Sequence, residues 1–229
     1  MKSDLPKVLH EIGDRPMVLF VIDAVKQVNP ERVIVVVGYH GERVRAACEG
    51  SGVEFVVQEE QLGTGHAVMQ AEESLAGFDG TTLVLNGDVP CLRPETLREF
   101  IAFHHSSGAA ATVMTARMVD PSGYGRVVRD RDDSLLRIVE HKDATPDELA
   151  IDEINSGLFC FETQALFSAL HRTETSNAQN EYYLTDAIEM LRTDGKRVSA
   201  WCVPDNDEVA GVNTVEELDA IRAAMEDRS

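Results

Sequence analysis

Apolar positions along this chain alternate between two textures, one with helical spacing and one continuous. After Pro16, Val18, Leu19, Ile22 and Val25 share one helical face, and Asn29-Pro30 ends the pattern, which predicts a helix. Val33-Ile-Val-Val-Val37 follows as a β-branched run without alternation, closed by Gly38. Such a run predicts a strand covered on both faces, as in a parallel sheet lying between helices. Val53 to Val57 and Thr82 to Leu85 read as further strands, Gly65 to Leu75 as a helix, and Pro94 to about His105 as another. Beyond Gly108 the texture shortens. Ala111 to Met118, Gly125 to Arg129, Leu135 to Glu140 and Ile154 to Phe161 predict strands between turn-rich loops, with Asp130 to Asp133 and Asp143 to Glu148 as exposed loops. Helices return at Thr163 to Leu170 and Tyr183 to Arg192, a strand at Val198 to Val203, and a last helix behind the capping box Thr214-x-x-Glu217. The expected fold is a three-layer α/β domain with a mixed, mostly parallel sheet and a β-rich insertion in its second half.

Composition narrows the class. In 229 residues, 43% hydrophobic and 27% charged, there is material for a full core and no apolar run of membrane-spanning length. The opening MKSDLPKVLH lacks the apolar core of a secretory signal, so a soluble, cytoplasmic protein without a membrane partner is expected. A net charge of −19 argues against nucleic acid, whose phosphates it would repel. It leaves room for a small phosphorylated substrate, because local lysines, helix N-termini and a divalent cation outweigh a screened, diffuse field. Cys48, Cys91, Cys160 and Cys202 show no CxxC spacing and lie in or beside apolar stretches, which predicts buried free thiols.

Ligands of open parallel sheets bind beyond the carboxyl ends of the strands, so the turns there hold the candidate chemistry. Asp88 follows the strand in Asn86-Gly87-Asp88-Val89-Pro90, where Gly87 permits close approach and a carboxylate suits Mg²⁺; Asn-Gly-Asp is also simply a good turn. Gln58-x-x-Gln61-Leu-Gly63-Thr64-Gly65-His66 stands between a strand and a helix. Its glycines offer backbone N–H groups to a base or phosphate, or merely make a tight turn, and His66 reads as structural. Lys7, stiffened by Pro6, is a point charge for phosphate or an exposed lysine without a role. Asn213 in Gly211-Val212-Asn213-Thr214 could present an amide oxygen to the same cation, or only precede the cap.

Each of these is weak alone, and their joint order is not. SDLPKVLH, QEEQLGTGHA, NGDVP, DPSGYGR, IVEHKDAT, EINSGLF, NEYYLTDAI and GVNT, spread over essentially the whole chain, closely resemble the N-terminal domain of the bacterial bifunctional N-acetylglucosamine-1-phosphate uridylyltransferases/glucosamine-1-phosphate acetyltransferases. The resemblance implies a Rossmann-like nucleotidyltransferase fold in a single domain over 1–229, with a nucleotide-binding half at about 1–110, a sugar-binding half at about 111–213 and a C-terminal helix at 214–229. It implies an enzyme that converts UTP and N-acetylglucosamine 1-phosphate to UDP-N-acetylglucosamine and pyrophosphate, feeding peptidoglycan and lipopolysaccharide precursors. By the matching motifs, Gln58, Gly63 and Thr64 would hold uracil, and Asn86, Gly87 and Asp88 would line the nucleotide site. Asp88 and Asn213 would coordinate Mg²⁺, Lys7 would face phosphate, and Gly125, Glu140 and Asn155 would bind the sugar. Lys7 and Asp88 would be the catalytic pair.

Departures from the family pattern set further expectations. Members usually open with an apolar strand and a glycine-rich loop ending in Gly-Thr-Arg, directly before the methionine that is Met1 here; both are missing from this sequence. Losing a central strand would cost more than the about 5–15 kcal/mol that holds a typical domain together, so residues upstream of Met1 are expected in the native protein. Asn86 stands where an aromatic residue is frequent. No hexapeptide repeats follow, so neither an acetyltransferase β-helix domain nor that activity is expected. Two other readings stay open: a nucleotidyltransferase for another sugar phosphate, and a nucleotide-sugar-binding or regulatory module without turnover. A homo-oligomer is neither required nor excluded.

Overall fold

A computed structural model of the chain describes residues 4–226. The expectations attached to Met1 and to the chain end at Ser229 lie outside the described residues. In chain order the elements are β1 (Glu11–Ile12), β2 (Arg15–Pro16), α1 (Met17–Lys26), β3 (Ile34–Val37), α2 (Gly41–Ala47), β4 (Glu54–Val57), α3 (Thr64–Met69), β5 (Thr81–Val84) and α4 (Pro94–Ser107). There follow β6 (Ala111–Arg117), β7 (Arg126–Arg129), β8 (Leu135–Val139), α5 (Pro146–Leu149), β9 (Glu153–Glu162), α6 (Thr163–Leu170), α7 (Asp186–Thr193), β10 (Val198–Cys202) and α8 (Val215–Glu226). Among the described residues no helix is long and apolar enough to cross a membrane. The chain divides into two compact units, and it passes between them several times.

The first unit takes residues up to 59, 86–98 and from 207 onward. The β-branched runs behave as their composition requires: β3 and β4 pair in parallel, Ile34 opposite Glu54 through Val37 opposite Val57. α1 buries Val18 and Ile22 with Leu9, Val37, Val44 and Cys48, while Met17 packs with Ile12, Cys91, Val212, Leu218 and Ile221. β1 and β2 form a hairpin around Gly13-Asp14, and Gly13 supplies the positive φ of +61° that a two-residue hairpin turn requires. Two segments distant in sequence are tied here by a buried charge. Glu208, fully buried, accepts from the Arg93 backbone N at 3.0 Å and pairs with the Arg93 guanidinium.

The second unit, 60–85 and 99–206, is built on a six-stranded mixed sheet ordered β10-β6-β9-β7-β8, with β5 also paired to β9. β10 and β6 run parallel, and the other pairs are antiparallel. β9 is the spine, since β5, β6 and β7 all pair with it. One face carries Val113, Val127, Ile138, Phe159 and Phe161 against Leu166 and Leu170 of α6 and Ile188 and Leu191 of α7. Thr145 caps α5 with a full capping box, so the stretch from Asp143 to Glu148 expected as loop contains a helix start. Cys48 and Cys160 are buried free thiols as expected and Cys91 is buried, but Cys202 is exposed. It ends β10, which among the described residues pairs with β6 alone.

Candidate active site

In the first unit, the turn after residue 85 and the approach to α8 bring together three of the residues singled out. The Lys7 ammonium contacts Asp88 Oδ2 and donates to Asn213 Oδ1 at 2.9 Å. Each is placed by backbone contacts of its own segment. Pro6 opens a single 3₁₀ turn, Lys7–Leu9, that buries Leu9 and leaves Lys7 half-exposed. Gly87 lies close to its neighbours: a Cβ there would stand 3.3 Å from Val8 Cγ1, a tight contact, and 3.7 Å from Val18 Cγ2, an ordinary one, so a bare backbone eases the Asp88 turn onto these residues. The Asp88 carbonyl accepts from Val212 N at 3.1 Å, which holds the Gly211–Asn213 segment beside it. The expected capping box forms. Thr214 Oγ1 accepts from Glu217 N at 3.1 Å, and Glu217 Oε2 accepts from the backbone N of Thr214 at 2.9 Å and of Asn213 at 2.6 Å. Asn213 is thereby fixed just before the helix.

A carboxylate oxygen and an amide oxygen thus converge on one positive charge. That hard-oxygen donor set fits Mg²⁺, which needs few protein ligands and completes its shell with water and phosphate. Among the described residues there is no group of three or more His, Cys, Asp or Glu that could hold a metal by itself. Asn86 is exposed at the same turn. Gln58 is buried, directly after β4, with its backbone N donating to Val37 O at 2.8 Å.

In the second unit, Gly63 and Gly65 do something the sequence did not disclose: they admit the 181–183 backbone. Gly63 has φ +106°, and a Cβ on it would stand 2.6 Å from Tyr182 O; on Gly65 the distance would be 2.9 Å. Gly65 N donates to Tyr182 O at 2.8 Å, Tyr182 N to Leu62 O at 2.7 Å, and Leu184 N to Thr64 Oγ1 at 3.2 Å. Gly65 N–H is therefore spent on the chain itself, and Thr64 Oγ1 is engaged there as an acceptor. His66 is structural, stacked on Tyr182 at 6.1 Å and in contact with Gln70.

Gly125, Glu140 and Asn155 are neighbours in the same unit. Asn155 N donates to Gly125 O at 2.9 Å, and a Cβ on Gly125 would come 3.3 Å from Glu140 Oε2. The Asn155 side-chain oxygen accepts from Gly157 N at 2.9 Å, beside a register shift between Met114 and Thr115 and the positive φ of Gly157, +81°. Glu140 Oε1 accepts from the buried Thr185 hydroxyl at 3.0 Å. Burial raises the Glu140 carboxyl above its ordinary range, the Thr185 bond opposes this, and Asp143 and Glu181 add to the rise. Asp186 is lifted from 3.8 to about 6, chiefly by burial and then by Glu140, Glu189 and Asp143. Tyr183, raised to about 12 mainly by burial, donates its hydroxyl to Asp143 Oδ2 at 3.1 Å and receives Gln179 Nε2 at 3.1 Å. The sequence offers NEYYLTDAI as a motif and assigns Tyr183, Thr185 and Asp186 no task. Their only signal is that string, because the Asp143 and Glu140 partners of Tyr183 and Thr185 lie 40 and 45 residues away.

Comparison with known proteins identifies the family and the fold. The family profile described as "Nucleotidyl transferase" matches residues 2–208. The chain is similar to proteins named "Bifunctional protein GlmU": 51% identical over 93% of this chain and 46% of the relative in Lactobacillus delbrueckii subsp. bulgaricus, and 50% over 93% and 47% in Oceanobacillus iheyensis. In Enterococcus faecalis the figures are 48% over 93% of this chain and 46% of the relative. The chain therefore spans about half the length of the curated relatives it matches. Among solved structures, apo UDP-glucose pyrophosphorylase superposes with TM-score 0.78 at 18% identity, covering 98% of this chain and 91% of that one. UDP-glucose pyrophosphorylase in complex with UDP-glucose gives 0.74 at 16%, covering 98% and 92%, so the two share this chain's fold. The match over 2–208 and the fold agree, and the chain belongs to the nucleotidyl transferase family.

Proposed function

We propose that this chain transfers UMP from UTP to N-acetylglucosamine 1-phosphate, forming UDP-N-acetylglucosamine and pyrophosphate with Mg²⁺. The observation that carries the reading is the convergence of Asp88 and Asn213 oxygens on the Lys7 ammonium, in a chain about 50% identical to proteins named GlmU. A phosphate oxygen of the sugar phosphate attacks the α-phosphorus of UTP in line, the bond to the bridging oxygen of pyrophosphate breaks, and pyrophosphate leaves with the electron pair. No proton need be moved, so the protein's work is positioning and charge compensation. Asp88 and Asn213 would hold Mg²⁺, which when bound neutralises charge on the phosphate oxygens. Lys7 supplies a further positive charge for phosphate. Gln58, Gly63 and Thr64 serve the uracil, and Asn86 and Gly87 shape the nucleotide turn. Gly125, Glu140 and Asn155 take the sugar, with the partly desolvated Glu140 carboxylate as acceptor for its N–H or hydroxyl groups.

The test is pyrophosphate release with paired nucleotides and sugar phosphates in the presence of MgCl₂. UTP with N-acetylglucosamine 1-phosphate is expected to be the fastest pair, with glucose 1-phosphate slower. Faster turnover of another pair would overturn the substrate assignment. Absence of release, with UDP-N-acetylglucosamine still bound, would make the chain a binding module.

A further inference from the structure

β7 begins with a residue that does not belong in its surroundings. Arg126 is 2% exposed, and its partners in register are Val139 on β8 and Ile154 on β9, both buried and apolar. Burying a guanidinium among such neighbours costs several kcal/mol unless its donors are satisfied. Nη1 donates to the carbonyl of Tyr124, whereas Nε is buried without a hydrogen-bond partner. A valine or isoleucine would serve the strand better, so the charge is retained at a cost.

What the guanidinium holds is the loop leading into Gly125. Tyr124, whose carbonyl it grips, closes a turn by donating its N–H to Pro121 O at 3.2 Å. Asp120 starts that turn by accepting from Ser122 N at 3.0 Å; its hydrogen bonds with Ser122 hold its carboxyl below the ordinary range, and the Arg126 charge adds a smaller push in the same direction. Gly123 N donates to His141 Nδ1 at 3.4 Å, so the loop also touches the residue next to Glu140. The register completes the arrangement. Val139, Arg126 and Ile154 form one row across three strands, and each immediately adjoins a residue of the next row: Glu140, Gly125 and Asn155.

We infer that Arg126 is a positioning residue for the sugar pocket: by gripping the Tyr124 carbonyl at the end of the 120–125 loop, it sets the Gly125 backbone against Glu140 and Asn155. The inference rests on the sugar-side reading given above. It touches no substrate itself and acts through the Tyr124 carbonyl. A residue of this kind changes affinity for the sugar part of a ligand and leaves the nucleotide part alone.

Equilibrium binding of UDP-N-acetylglucosamine and of UDP, with melting curves as a fold control, tests it. A charge-assisted hydrogen bond is worth enough that Arg126→Met should weaken UDP-N-acetylglucosamine about tenfold and leave UDP within about twofold. Arg126→Lys, which keeps one donor and the charge, should recover most of the loss. Asp120→Asn lies on the exposed turn, will fold where the methionine variant does not, and should weaken the sugar nucleotide about threefold, a fraction of a charged hydrogen bond. Equal weakening of UDP and UDP-N-acetylglucosamine by Arg126→Met, or unchanged sugar-nucleotide binding in Asp120→Asn, would overturn the inference. A wild-type protein that binds UDP-N-acetylglucosamine no more tightly than UDP would instead overturn the sugar-side reading itself.

Discussion

The Lys7–Asp88–Asn213 trio and the Glu140 pocket both hold carboxylates, and they treat them in opposite ways. Asp88 meets the Lys7 ammonium, which also donates to the Asn213 amide oxygen and is half-exposed, so charge is compensated locally and is still open to water. Glu140 meets a neutral hydroxyl, with Asp143, Glu181 and Asp186 for company, so its charge is penalised by burial and by like neighbours. The first environment suits ligands that bring charge, such as phosphates and their metal ion. The second suits neutral ligands rich in O–H and N–H donors, because a desolvated acceptor gains most from a donor delivered without a charge. Two carboxylates of one chain are thus given opposite electrostatics by their surroundings alone.

The comparison breaks most visibly at Asp88. Asp88→Ala removes the carboxylate partner of a metal that supplies several kcal/mol, so turnover should fall by at least about two orders of magnitude. The melting temperature should hardly move, because Lys7 is solvated and still donates to Asn213. Turnover near the wild-type rate would remove Asp88 from the metal site. Glu140→Ala should act on selectivity: the preference for UDP-N-acetylglucosamine over UDP-glucose should drop about tenfold, the scale of one charged hydrogen bond, with UDP binding unaffected. An unchanged preference would show that Glu140 does not read the acetamido sugar.

The smallest effect is on pH dependence. Asp186 has a folded pKa of about 6 against 3.8 unfolded, so the folded state binds its proton more tightly. Its contribution to stability is therefore fully present below about pH 4 and is lost as pH rises through about 6. Glu140, shifted in the same direction, adds to this slope. Asp186→Asn should melt higher than wild type near neutrality and converge with it near about pH 4. A variant melting lower at neutral pH would mean that the ionised Asp186 is stabilised by something other than the carboxylates facing it.

Much of the scaffold was legible because it obeys local rules. Val33 to Val37 had no polar face to turn outward, and it became β3 beside a parallel partner. Thr214-x-x-Glu217 carries both halves of its capping box within one turn, and Asn213 came into place with it. α2 was missed because Gly41–Ala47 offers one buried apolar residue, Val44, and starts from His40 at φ +55°, a conformation that few non-glycine residues adopt. In the candidate site, the identities of Lys7, Asp88 and Asn213 were readable as oxygen- and ammonium-bearing turn residues. Their mutual contact was not, since 206 residues separate Lys7 from Asn213.

What the sequence by itself determined is the chemistry on offer and the local geometry: which turns carry carboxylates, which runs must be strands, where a helix is capped. Those follow from interactions spanning a few residues, written in adjacent letters. Only the tertiary structure decided that Gly63 and Gly65 serve Tyr182, that Glu140 is desolvated beside Thr185, and that Arg126 is buried. A glycine beside a foreign backbone reads the same as one in a tight turn, and an arginine reads the same buried or solvated. Burial and long-range approach belong to the packed chain, and they set the electrostatics by which one carboxylate is compensated and another is desolvated.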